Sequence, residues 1–231
     1  MRAALLVLVS SLLAGCLGGG PQGPQWQTRA AEAAHAYHQA MLRGDSHRAG
    51  TSLSRALEAA GRSSDLRPLA RIHLGRVAMQ LALRREPKPA AADELVAMAD
   101  DPELTAYRHF LAGSPEAGDE AHLREPLKAV ARHLRQDQPQ ALVESIRAID
   151  TARTRVVAAA VAHRHYPDRS GLIDTVVATA SHQGWRGVLL QWLPLQAEAA
   201  EQAGEEAKAE SIRQRLRWLR DPLTGQPSGD E

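Results

Sequence analysis

The chain has 231 residues, with 28 Lys and Arg against 27 Asp and Glu and a formal net charge of +1. That balance gives no basic field for a phosphate backbone, so no nucleic-acid partner is expected. Cys16 is the only cysteine, which excludes an internal disulfide and a multi-thiolate zinc site.

In chain order, the first feature is Arg2 followed by an apolar run from Ala3 to Leu12 and then Leu13-Ala14-Gly15-Cys16. Charged, hydrophobic and small-residue regions follow one another in the order of a secretory signal. A membrane span needs ~20 apolar residues, and Gly18-Gly19-Gly20-Pro21 ends this stretch too early. The four residues Leu13, Ala14, Gly15 and Cys16 resemble the lipobox of bacterial lipoproteins. The resemblance implies that Leu13, Ala14 and Gly15 are read by the signal peptidase. Cys16 would carry a diacylglycerol on sulfur and an N-acyl chain on its amine after residues 1–15 are removed. Several acyl chains on one residue give stable anchoring. Removing residues 1–15 takes away Arg2 and no acid, leaving 27 basic against 27 acidic side chains. Residue 17 is Leu rather than the Asp of inner-membrane retention, so the expected location is the periplasmic face of the outer membrane, with the inner membrane as the alternative.

Residues 16–25 read as the lipidated cysteine and a Gly/Pro tether, 26–220 as one helical domain, and 221–231 as a disordered tail. Alanine dominates the domain, with many Leu, Arg, Glu and Gln and a single Phe. These are strong helix formers, and no stretch alternates with period two, so the fold class is all-α.

Glycine, proline and aspartate divide the domain into eleven helices. The first runs over 25–43 and stops at Gly44. Asp45 or Ser46 caps the second, which ends before Gly61. Ser63, Ser64 and Asp65 open a third, with Pro68 in its first turn, reaching Arg85. A short fourth covers 90–99, and Asp100-Asp101-Pro102 caps a fifth ending at Gly113. Residues 114–123 read as turns. The remaining helices fall at about 124–136, 137–148, a stretch ending at Tyr166-Pro167, 170–182, 185–203 and 205–220. Pro194 should kink or split the tenth.

Alanines recur seven apart in the second helix of successive pairs: Ala49 and Ala56, Ala90 and Ala97, Ala141 and Ala148. Twelve residues before each first alanine stand Tyr37, Ala78 and Ala129, and near the C-terminus the same frame gives Ala197, Ala209 and Leu216. This frame resembles the tetratricopeptide repeat family, whose helix-turn-helix unit is ~34 residues with small residues at helix contacts. The family's Trp-Leu-Gly-Tyr pattern is nowhere intact. The resemblance implies antiparallel hairpins stacked as a solenoid; an irregular helical bundle is the alternative.

The chain holds no Gly-x-Ser-x-Gly and no His-Glu-x-x-His, and Gly18-Gly19-Gly20 lies in the tether rather than between strand and helix. Carboxylate pairs such as Asp100-Asp101 and Glu205-Glu206 sit at helix starts, where the helix dipole favours them. His35 and His38 can share one helical face, whereas His163 and His165 should point apart. No metal, catalytic residue or diffusible cofactor is therefore assigned. Trp185 and Trp192 lie seven apart and, with Tyr37, are candidate anchors for a partner, although large aromatics also serve as core. The expectation is a non-enzymatic, lipid-anchored scaffold that binds another envelope protein on an open concave surface near Tyr37 and Ala40. The alternative is a small helical periplasmic enzyme, or a ligand- or metal-binding lipoprotein, with a histidine-lined pocket.

Overall fold

The computed structural model describes residues 25–221, and Leu13, Ala14, Gly15, Cys16, the tether before 25 and the tail after 221 lie outside the described residues. The described part is all-α: α1 Gln25–Arg43, α2 Ser46–Ala60, α3 Arg67–Ala82, α4 Ala90–Ala99, α5 Pro102–Ala112, α6 Asp119–His122, α7 Leu127–Arg135, α8 Pro139–Arg147, α9 Ala152–His165, α10 Ser170–Gln183, α11 Arg186–Gln202 and α12 Glu206–Arg220. No described helix is long and apolar enough to cross a membrane.

Local chemistry sets most boundaries. Gly44 takes φ +84° after α1, a left-handed conformation that costs glycine little. Asp45 then caps α2 by accepting from the Arg48 N–H at 2.9 Å. Asp101 accepts from the Glu103 and Leu104 N–H groups at 2.9 and 3.2 Å, and Pro102 fills the first turn of α5, where a missing N–H costs nothing. Two expectations differ. Segment 114–123 contains the short helix α6, held because Asp119 accepts from Glu116 N–H at 2.6 Å and pairs with His109 Nδ1 at 3.0 Å. α11 runs unbroken through Pro194, so the proline does not split it.

The core is built around α9. Seven consecutive residues, Val156–Ala162, are buried, so this helix is covered on every side. The alanines at 158–160 let neighbours approach closely, and α3, α5, α7, α8 and α10 all pack on it. Hairpins α1–α2 and α11–α12 flank this centre, and α11 returns against α1. There Gly187 meets Gly44: a Cβ on Gly187 would stand 2.7 Å from Gly44 N and 2.8 Å from Leu42 O.

In a solenoid each unit touches only its neighbours. The contacts of α1 with α11 and of α3 with α9 break that rule. The alanine frame holds at the two ends, where Ala49, Ala56, Ala197, Ala209 and Leu216 are buried. It fails in the middle. Ala90, Ala97 and Ala148 are exposed, Ala141 is half-buried, and Ala92 and Val96 face the core of α4 instead.

Candidate functional site

The three aromatic residues expected as partner anchors are core residues. Tyr37 is 4% exposed, Trp185 3% and Trp192 0%. Each has a structural task. Trp192 Nε1 donates to Ala82 O at 2.8 Å, satisfying a carbonyl that the end of α3 leaves free and pinning α11 to it. Trp185 precedes α11, and its backbone N–H bonds Ala180 O at 2.9 Å, closing the turn after α10. Tyr37 packs against the His38 ring at 5.4 Å, and burial raises its pKa. In this conformation none of the three offers a face to a partner, and the surface around Tyr37 and Ala40 is filled by neighbouring helices.

The histidine pairs also separate. His35 is exposed, while His38 turns inward across α3, where Gly75 makes room for it: a Cβ on Gly75 would stand 2.7 Å from His38 Nε2. His163 packs on Trp192 at 5.1 Å, and His165 lies over Gly113. Among the described residues no group of three or more His, Cys, Asp or Glu is placed to hold a metal.

The feature that sequence reasoning missed lies where α1, α3, α5 and α9 meet the turn before α7. A cavity of about 430 Å³ opens there, within the ~300–1,000 Å³ range of small-molecule sites. Leu74, Ala78 and Met79 of α3, Leu104 and Phe110 of α5, and Val157 of α9 make its apolar wall. Leu123, Leu127 and Pro126 extend that wall. Tyr107 stacks on Phe110 with ring centres 6.3 Å apart and planes 12° from parallel. Burial pushes the Tyr107 phenol up to about 12, against the opposing pull of Arg153, so its O–H stays protonated.

Three arginines line the cavity. Arg124 Nε donates to Glu103 Oε1 at 2.7 Å, and Arg71 stands 3.7 Å from Glu103 Oε2, so both cations share one carboxylate. Arg153 is different: it has no carboxylate partner among the described residues, and Nη1 lies 3.2 Å from His38 Nδ1. Guanidinium can only donate, so His38 Nδ1 accepts and the imidazole is neutral with its proton on Nε2. Burial first, then Arg153 and His35, lower the His38 pKa to about 4. The arrangement is a half-buried cation over an apolar hollow, with a phenol and a neutral imidazole beside it. Guanidinium, phenol and imidazole N–H and O–H groups are donors suited to holding an anionic or polar group of a ligand.

The signal for this site was weak in the sequence, because its residues come from five separate segments with no motif among them. No protein-family model, curated protein or solved structure matches the chain.

Proposed function

We propose that the protein is a non-catalytic, lipid-anchored binding protein of the bacterial envelope that takes a small, largely apolar ligand into the α3–α5–α9 cavity. The observation that carries this reading is Arg153, a cation without a carboxylate partner set against a wall of leucine, phenylalanine and tyrosine side chains. A partly buried guanidinium keeps free N–H donors toward the cavity, and an anionic group on a ligand would accept from them. The anchor rests on Leu13-Ala14-Gly15-Cys16, and the outer membrane, periplasmic face, on Leu17. Titration with a neutral fluorescent apolar probe tests the cavity. One saturable site is expected, blocked by Thr154→Trp, which fills the hollow from its α9 side. An absence of saturable binding, or equal binding by the filled variant, contradicts the reading.

A second reading keeps the scaffold. Trp218 on α12 is 50% exposed, and tryptophan is favoured at interface hot spots. In that case Trp218→Ala would abolish capture of an envelope protein by crosslinking, while the probe site stayed intact.

A further inference from the structure

We infer that the ligand is a single-chain amphiphile ending in a carboxylate, with the carboxylate on Arg153 and the chain along the α3–α5 wall. This rests on the cavity reading above and adds the chemical class. Two observations carry it.

The first is charge. Arg71, Arg124 and Arg153 face the cavity together with Glu103 and Glu125. Glu103 is occupied by Arg71 and Arg124, and Glu125 stands 3.5 Å from Lys128. Both carboxylates of the lining are therefore engaged, and Arg153, beside a neutral His38, is the lining cation with which a ligand carboxylate would pair.

The second is the set of donors. One N–H of Arg153 is used on His38, and a guanidinium has five. Tyr107 makes a ring contact with Phe110, and its hydroxyl has no protein hydrogen-bond partner among the described residues. The protonated Nε2 of His38 likewise has no protein acceptor. Arginine meets a carboxylate with two parallel N–H donors, and the phenol can add a third. Leu74, Met79, Leu104, Phe110 and Val157 give the lining a hydrocarbon wall, which recognises an acyl or similar chain by burial.

The test uses the described domain within the full chain, with N-phenyl-1-naphthylamine as the neutral probe. It compares displacement by dodecanoate, dodecanol and methyl dodecanoate. A charge-assisted hydrogen bond is stronger than a neutral one, so dodecanoate should displace the probe at about tenfold lower concentration than dodecanol, a difference of about 1.4 kcal/mol. Arg153→Met should bring that ratio to about one. Tyr107→Phe should lower the ratio without abolishing it. Equal displacement by acid, alcohol and ester overturns the carboxylate assignment while the cavity reading stands. A ratio unchanged by Arg153→Met overturns it as well. Should Arg153→Met lose its helical circular dichroism, Arg153→Lys takes its place; an unchanged ratio in both Arg153→Lys and Tyr107→Phe then overturns the assignment. Failure of the probe itself to bind overturns the cavity reading and this inference with it.

Discussion

Arg153 Nη1 lies 3.2 Å from His38 Nδ1, joining α9 to α1 across 115 residues of sequence. The bond requires a neutral imidazole, so it ties stability to pH. The folded state holds the His38 pKa at about 4, below its ordinary 6.5, through burial, Arg153 and His35. The unfolded chain therefore binds more protons between these values, and stability falls as pH drops from about 6.5 to about 4. The loss from His38 should be roughly 2–3 kcal/mol. His73, His163 and His165 are shifted in the same direction, mainly by burial, and add to it. Chemical denaturation as a function of pH checks this: His38→Gln should flatten the slope over that window, and an unchanged slope would show that the imidazole is not held neutral.

The contact of Gly187 with Gly44 makes a second expectation. Gly187→Ala would drive a methyl group into the Gly44 and Leu42 backbone, and backbone cannot rotate away as a side chain does. The cost should be ~2 kcal/mol or more. Gly50 in α2 is the internal control, because a Cβ there meets nothing within 4 Å. Gly50→Ala should stabilise by about 0.5–1 kcal/mol. Thermal unfolding midpoints moving in opposite directions are the expected result.

Small residues at the α1–α2 contact predict another contrast. Ala49 is buried between helices and Ala97 is exposed on α4. Ala49→Leu should destabilise by ~1–3 kcal/mol through overpacking, whereas Ala97→Leu should change stability by no more than about 0.5 kcal/mol. Equal effects in urea denaturation would remove the packing role of Ala49.

How far the fold was legible follows from where each constraint acts. Helix ends were readable because Gly44, Asp45, Asp101, Pro102 and Gly113 act within one turn of the chain. The alanine frame misled in α4 because alanine is common on every face of these helices. There the seven-residue spacing from Ala90 to Ala97 marks the solvent side, and Ala92 and Val96 mark the core. The tryptophans were ambiguous, and the burial of Trp185 and Trp192, with the bond from Trp192 to Ala82, decides for the core. The cavity was not legible at all. Arg153 resembles every other arginine in sequence, and what sets it apart is its place beside His38 against the apolar wall supplied by α3 and α5.

The proposed lipid anchor lies outside the described residues and has its own test. Leu13-Ala14-Gly15-Cys16 predicts a triacylated Cys16 at the mature N-terminus. Mass spectrometry of the membrane-extracted protein should show the acyl mass, and Cys16→Ala should release the protein or stall its processing. Membrane retention of the variant together with an unacylated wild-type N-terminus would refute lipidation.

The claim that a ligand occupies the α3–α5–α9 cavity is tested most directly by amide hydrogen exchange with and without the neutral probe. Exchange reports local opening, so it locates the bound molecule without assuming its chemistry. The account predicts slower exchange in α5, in residues 123–127 and at the start of α9, with α2 and α12 unchanged. Protection confined to α12 around Trp218, or spread evenly over the surface, would contradict it.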